Sequence, residues 1–342
     1  MALMLGGEAL EGVIHIREAI DLLEEVSAHE AAGKTFISPR MTSMFEGGWM
    51  RMMFAADYAS GYAATKALHM ITGVGVRYVV SLYRLGDGEL LAVLDGRLIT
   101  ELRTGAASGV VARKVKIEAP VSVGLLGAGH QSRMQLESLA SVYRVESATV
   151  FSPTAENRER FARQMSSKLG LKVKAEASAE SAVRGRSVVV AATSSQSANP
   201  VLKGAWLGSC RLLCAVGSTR PQSIEVDARC FGDASTVVVD TMRAAEEAGD
   251  LQEAVRSGAL APDRQITLAQ VAAGTSPSDS GLVTFKSVGT ALQDLALAVR
   301  YYEQLRSRKD LPAAPDVASL KKPVSGATGV TRVTRSDKSD QK

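Results

Sequence analysis

The stretch of this chain best equipped for chemistry is residues 121–132, Val-Ser-Val-Gly-Leu-Leu-Gly-Ala-Gly-His-Gln-Ser. A Val- and Leu-rich run breaks at Gly127-Ala128-Gly129. It gives way to apolar residues at helical spacing, Met134, Leu136, Leu139 and Val142, the order strand, tight turn, helix. Gly127 lets the chain turn sharply and Gly129 lets the backbone approach a pyrophosphate. The first free N–H groups of the next helix then face the phosphate charge. Gly127, Ala128, Gly129, His130 and Gln131 are therefore the candidate cofactor cradle. Ser132 stands where the third glycine of GxGxxG would be and is small enough for close helix-to-strand contact. A bare Gly-Ala-Gly also fits an ordinary tight βα turn, so the surrounding elements must decide.

From residue 121 the pattern is strand 121–126, helix 130–142, strand 147–151, helix 155–169, strand 172–175, helix 178–184 and strand 187–192. Two further apolar runs at 211–216 and 236–239 bring the strands to six. Such alternation selects an α/β architecture, a parallel, doubly wound Rossmann sheet with right-handed crossovers. With the glycine turn at its first crossover, the dinucleotide reading prevails.

An NAD enzyme usually ends its second strand in Asp or Glu, which binds the ribose 2′-OH and repels a 2′-phosphate. Here the strand ends in Ser152-Pro153-Thr154, with Arg158 one turn into the next helix, and Glu146 precedes the strand. Ser152, Thr154 and Arg158 can accept a phosphate, which favours NADP(H) over NAD(H); the alternative is that they cap the helix.

Before residue 119 lies a different unit. An amphipathic helix, 14–30, is predicted to open the structure. Residues 41–54 hold five methionines, Trp49 and two phenylalanines around Gly47-Gly48, a hairpin that is either core or an adaptable pocket wall for an apolar substrate part. Residues 62–80 and 89–95 read as further strands with a turn at Gly86-Asp-Gly88; Asp95-Gly96 ends that hairpin, and 100–115 reads as a helix. After the strand series come helices near 242–256 and 266–273, a short strand 282–285 and a long helix 288–306, predicted to cross back and cover the N-terminal unit. The division expected is 1–118 with 290–320, then 119–289, then a flexible basic tail, 321–342.

Composition narrows the partners. The formal charge of +4 is accounted for by the tail, where Lys321, Lys322, Arg332, Arg335, Lys338 and Lys342 oppose only Asp337 and Asp340. The body is neutral, so nucleic acid is not expected as a partner. No apolar run approaches the roughly 20 residues of a spanning helix, and the start lacks a secretion signal, so a cytoplasmic protein without membrane attachment is expected. Cys210, Cys214 and Cys230 lie in apolar runs without CxxC pairing, as buried thiols in a reducing compartment do. The four histidines show no metal-ligand spacing, so no metal is expected.

Several stretches together resemble the ornithine cyclodeaminase and mu-crystallin family of NAD(P)-dependent enzymes. They are Ile37-Ser-Pro-Arg40, Leu91-Ala-Val-Leu-Asp-Gly96, Leu102-Arg-Thr-Gly-Ala-Ala-Ser108, Gly127-Ala-Gly-His-Gln131, Ala215-Val-Gly-Ser218, Thr284-Phe-Lys-Ser-Val-Gly289 and Gln293-Asp-Leu295. The resemblance implies a substrate and dimerisation domain built from both chain ends, a homodimer, and a basic trio, Arg40, Lys66 and Arg103, that holds a substrate carboxylate beside the nicotinamide. Arginine can grip a carboxylate bidentately and lysine can add charge and move a proton. Plainer readings are a surface Arg40, a solvated Lys66, and an Arg103 paired with Glu101 or Asp95. Thr193 and Ser194, at the end of the fourth strand, and Ser218 and Thr219 are expected to line the nicotinamide side, and Val216 is expected to bind the cofactor.

Ornithine cyclodeaminases carry an aspartate where this chain has Thr219, and Glu225 and Asp227 are expected on the rim or at a helix start. Without that acid, simple hydride transfer is favoured: an NAD(P)H-dependent reductase or dehydrogenase of an α-imino or amino acid, such as a ketimine or cyclic imine reductase. The alternatives are an ornithine cyclodeaminase that releases ammonia with bound NAD, and a non-catalytic NADPH-binding protein.

Overall fold

The computed structural model describes residues 1–195 and 197–315. The basic tail, 321–342, and the end of the 290–320 segment lie outside them.

Two sheets carry the chain. The first unit runs β1 (Ala2–Leu5), α1 (Gly7–Leu10), α2 (Ile16–Ala31), β2 (Thr35–Ile37), β3 (Met41–Phe45), β4 (Gly48–Asp57), β5 (Tyr62–Ile71), β6 (Gly75–Arg84), β7 (Leu90–Asp95) and α3 (Gly96–Lys114). The second runs β8 (Val121–Leu126), α4 (His130–Val142), β9 (Val145–Phe151), α5 (Ala155–Leu169), β10 (Lys172–Ala175), α6 (Ala179–Val183), β11 (Val188–Ala191) and β12 (Leu212–Ala215). It continues through α7 (Arg229–Gly232), β13 (Ala234–Val239), α8 (Ala244–Glu247), α9 (Gly249–Arg256), β14 (Gln265–Thr267), α10 (Leu268–Ala272) and β15 (Leu282–Lys286). Then α11 (Ala291–Leu305) and β16 (Ala313–Ala314) return to the first unit.

The second sheet is parallel throughout, in the order β10-β9-β8-β11-β12-β15-β13-β14. Its central strands β11 and β12 are wholly apolar and buried because helices cover both faces. Six strands were expected in the alternating series and a short one at 282–285; among the described residues the sheet has eight, β14 being the addition. The run at 236–239 does not follow β12 directly: β15, buried at all five positions, needs cover on both faces and takes the slot between β12 and β13. The helix expected over 266–273 begins as strand β14 with Thr267 capping α10, and the one expected over 242–256 breaks at Ala248 into α8 and α9.

The first sheet is ordered β16-β1-β7-β6-β5-β4-β2, with β3 paired to β4. Strand β1 precedes the helix that was expected to open the structure, lying parallel to β7. The 62–80 run is two antiparallel strands that turn at Gly73. Asp95 ends the β6–β7 hairpin as expected, and its side chain also accepts from the Arg97 N–H at 2.8 Å and caps α3. Helix α2 buries Ala19, Ile20, Leu23 and Val26 against α3, and α11 packs on β4, β5 and β6, covering the N-terminal unit as expected. That docking brings the first turn of α11 over the sheet face that carries Lys66.

Candidate active site

Strand alternation builds the floor. Lys66 of β5 lies in register with Met53 of β4 and Val80 of β6, so residues two positions along share its face: Arg51 and Trp49 on β4, Leu68 on β5, Tyr78 and Val76 on β6. These line a cavity of about 200 Å³, closed by Thr100, Arg103 and Thr104 of α3, by Asp294 of α11, and by Val216, Thr219 and Arg220 after β12. Arg40 lines it too. A second, larger cleft of about 1280 Å³ runs along the ends of β8, β9 and β11. Tyr78, Thr100 and Gln131 line both cavities, so the two meet there.

Lys66 is 2 % exposed, not solvated. Its Nζ donates to Asp294 Oδ1 at 2.6 Å and to Thr100 Oγ1 at 2.6 Å, and lies 5.4 Å from the Tyr78 ring centre. Burial brings its pKa down to about 8 against the pull of Asp294, and the like charges of Arg103 and Arg40 act with burial. A lysine so poised can hold or release a proton near neutral pH.

Arg103 is paired with neither Glu101 nor Asp95. Its Nη1 donates to Gln293 Oε1 at 3.1 Å and its Nε lies 3.6 Å from Asp294 Oδ1. Asp240, at the end of β13, braces this arrangement. Its Oδ2 accepts from the N–H groups of Val288 and Gly289 at 2.5 and 2.7 Å, and its Oδ1 from Gln293 Nε2 at 2.8 Å. Gly289 has φ 77°, and a Cβ there would collide with the Arg103 guanidinium. Arg40 is anchored rather than free on the surface. It donates to the carbonyls of Val288 and Gly289, and its Nε lies 2.9 Å from Glu247. Burial lowers its pKa to about 10 against Glu247, with Arg51 and Arg103 adding to the fall.

The larger cleft starts at the glycine turn. Gly127 has φ 102°, and a Cβ would run into the Ala192 carbonyl. Gly129 is the N-cap of α4, and a Cβ on it would meet no protein atom within 4 Å, so that backbone is open to phosphate oxygens. Gln131 Oε1 is buried and accepts no hydrogen bond, an acceptor at the junction with the smaller cavity. These features fit a dinucleotide, with its phosphates at the start of α4.

Gly127, Ala128, Gly129, His130, Gln131, Ser152, Thr154, Thr193 and Ser194 all line the larger cleft, and Val216 and Thr219 line the smaller cavity with the basic trio. Two expected residues stand apart. Arg158 turns back, donating to the Ser152 and Pro153 carbonyls at 3.0 and 3.3 Å; Arg133 and Arg160 line the cleft in its place. Ser218 is buried, its hydroxyl donating to the Ser223 carbonyl at 2.7 Å. Thr154 makes no side-chain cap on α5.

Glu225 is not on the rim. It is fully buried, accepting from the N–H groups of Thr193, Gly217 and Ser218 at 2.6, 2.8 and 3.2 Å, and from the Thr193 hydroxyl at 2.8 Å. It ties the loops after β11 and β12 together. Lys286, also buried, donates to the Ser218 carbonyl at 2.7 Å and to Asp250 at 2.8 Å. Asp227 does sit at a helix start, accepting from the Gly204 and Cys230 N–H groups at 2.9 and 3.2 Å. Sequence reasoning assigned no role to Asp294, Arg51 or Arg220. Asp294 carried a legible signal, the one acid in the first turn of a helix whose next residues, Leu295 to Val299, are all apolar.

A glycine turn at the first crossover of a parallel sheet, opening onto a buried lysine among arginines, is the layout of an NAD(P)-dependent oxidoreductase. Sequence comparison narrows that class: a profile of the ornithine cyclodeaminase/mu-crystallin family matches residues 2–309, and the chain belongs to this family. It is 30% identical over 316 residues to the alanine dehydrogenase of Archaeoglobus fulgidus, covering 90% of this chain and 96% of that one. The structure of Thermococcus litoralis delta(1)-pyrroline-2-carboxylate reductase in complex with NADH and L-proline superposes with a TM-score of 0.85 at 28% identity, covering 91% of this chain and 100% of that one. An archaeal alanine dehydrogenase dimer with bound NAD superposes with a TM-score of 0.83 at 28% identity, over 91% of this chain and 98% of that one.

Proposed function

We propose that the protein is an NAD(P)H-dependent reductase of an α-imino acid, running in reverse as an amino acid dehydrogenase. The observation that carries this reading is Lys66: buried, held by Asp294 and Thr100, and placed where the dinucleotide cleft meets the arginine-lined cavity. The similarity to a reductase solved with NADH and L-proline supports it.

When bound, the reduced cofactor supplies a hydride to the C=N carbon. The chain does the rest. Arg103, with Arg40, binds the carboxylate and fixes the imine plane. Lys66 gives a proton to the nitrogen, so imine, hydride and proton yield the amine and the oxidised cofactor. Positioning and a positive field on the imine supply most of the rate gain. The cyclodeaminase alternative is disfavoured because Thr219, not a carboxylate, lines the cavity after β12.

Three finer points belong to this reading. NADP(H) is preferred, because Arg133 and Arg160 line the cleft beside Ser152 and Thr154 and no carboxylate ends β9. The protein is a homodimer, because β3 and the β5–β6 turn expose Met41, Met44, Phe45, Ile71 and Val74 and the superposed archaeal alanine dehydrogenase is a dimer. It works in the cytoplasm, as its three buried, unpaired cysteines suit a reducing compartment. Residues 1–118 with those from 290 onward form the substrate domain and 119–289 the dinucleotide domain, in line with sheet membership.

The test is NAD(P)H consumption with pyrroline- and piperideine-2-carboxylate and with 2-oxo acids plus ammonia. Lys66→Ala is expected to keep cofactor affinity while losing about 10²- to 10⁴-fold in kcat/KM. Absence of turnover with every imine would sink the reductase reading, and ammonia release from L-ornithine with NAD would establish its rival.

A further inference from the structure

We propose that the cavity beside Lys66 selects an imino acid whose side chain ends in a second carboxylate, received by Arg51 and Arg220 at the Trp49 wall. This rests on the reductase reading and names its substrate class: a 2-imino dicarboxylic acid of four or five carbons.

Charge motivates it. Arg40, Arg51, Lys66, Arg103 and Arg220 line the cavity, and among the described residues Asp294 is the one carboxylate that does so. Glu247 lies against Arg40 at 2.9 Å and Asp240 stands behind, saturated by backbone N–H groups and Gln293. Even with both counted, two positive charges remain among the described residues. One α-carboxylate neutralises one of them, and the proton that passes from Lys66 to the imine moves charge without adding any, so one positive charge is left. A substrate with a second anion balances the site; a diamino acid would add charge of the wrong sign to it.

Position agrees with charge. Trp49, Arg51 and Met53 alternate along β4, so Arg51 shares the cavity face two residues beyond the register position of Lys66, a shift of about 7 Å. The Arg51 guanidinium carbon lies 5.2 Å from the Trp49 ring centre and that of Arg220 5.8 Å from the same ring. An Arg51 Nε bond to Thr42 Oγ1 at 2.9 Å holds its side chain. Burial lowers the pKa of Arg51, and the like charge of Arg220 adds to the fall against the pull of Glu247. The carboxyl carbons of such a dicarboxylic acid lie about 4 to 5 Å apart, and Arg51, Arg103 and Arg220 line the same cavity. A cavity of about 200 Å³ is on the scale of such a molecule. The Met-rich hairpin therefore does not offer a purely apolar wall: Arg51 shares the face of Trp49 and Met53.

The experiment compares kcat/KM for oxaloacetate and 2-oxoglutarate with that for pyruvate and 2-oxobutanoate, each with ammonia. Reactions without ammonia subtract any ketone reduction. The dicarboxylic substrates are expected to lead by at least tenfold, and Arg51→Gln or Arg220→Gln to cut that ratio by about 10- to 100-fold. Arg51→Lys, which keeps the charge, is expected to retain most of it. A wild-type preference for the monocarboxylic acids, or a ratio unmoved by either substitution, overturns the proposal. A second measurement separates it from the reductase reading: succinate and butyrate are titrated into the NADPH-loaded protein carrying Trp206→Phe, and Trp49 fluorescence reports binding. Tighter binding of succinate that Arg51→Gln removes, with no imine turned over, leaves the anion site standing and the reductase reading refuted. Turnover with equal binding of both acids does the reverse.

Discussion

Replacing Asp294 by Asn tests whether the carboxylate 2.6 Å from Lys66 keeps that lysine charged at working pH. Burial draws the Lys66 pKa down to about 8 and Asp294 opposes the fall. At an effective dielectric constant of about 20, unit charges about 4 Å apart attract by about 4 kcal/mol, and about 1.4 kcal/mol corresponds to one pKa unit. About three units is therefore the scale of losing the charge. The Asn carbonyl still accepts a hydrogen bond, so the expected fall is about one to three units. A proton-donating lysine works in its charged form: the reductive rate holds below its pKa and is lost as pH rises through it. The wild-type profile of kcat/KM should thus show a basic limb near pH 8, and Asp294→Asn should carry that limb to lower pH. The assay is initial-rate NADPH oxidation with a cyclic imine from neutral to alkaline pH. Thermal melts confirm folding, since a buried cation left unpaired can cost about 3–5 kcal/mol, and Asp294→Glu serves as the charge-preserving control. A limb that stays in place, or moves to higher pH, refutes the reasoning. Lys66→Arg should abolish the limb, because a guanidinium does not titrate in this range.

Two further outcomes follow from other parts of the molecule. Arg133→Ala combined with Arg160→Ala should weaken NADPH binding by about tenfold or more and leave NADH affinity nearly unchanged, as read by fluorescence titration; equal losses for both cofactors would refute the 2′-phosphate assignment. Glu225→Gln should lower unfolding stability by about 1–3 kcal/mol, since it turns one acceptor oxygen into a donor facing buried N–H groups, and should reduce kcat through movement of the 216–223 loop; an unchanged melting temperature and kcat would show that its hydrogen bonds do not hold the loop.

Much of the fold was legible because each element is short, periodic and cleanly interrupted. Helix α4 begins at the residue after Gly129 and ends at Val142, as its spacing predicts, and α5 matches its expected bounds. The slot taken by β15 was not legible, because strand order is set by which faces need cover across the sheet and not by local pattern. Lys66 became a site residue through resemblance, and its partner Asp294 stayed hidden because the two are 228 positions apart. Glu225 misled for a physical reason: an acid after a polar loop is normally solvated, and three N–H groups converging from two loops are what permit its burial. Arg158 and Arg160 show how fine the margin is. Two positions on a helix change the direction by more than half a turn, so one guanidinium caps carbonyls while the other faces the cleft.

The segment from β15 to α11 has an evolutionary consequence. Within it Lys286 fastens the loop after β12, the Val288 and Gly289 carbonyls receive Arg40, and Gln293 and Asp294 hold Arg103 and Lys66. One continuous piece of chain thus serves both halves of the molecule. Recombination between relatives cannot exchange the dinucleotide-binding half at its natural border near residue 289 without parting Asp240 from Gln293. An exchange that carries 282–305 along keeps that brace but imports the carboxylate that sets the lysine. Diversification of substrate is therefore channelled to places that this segment does not clamp, above all the β4 positions around Trp49 and Arg51.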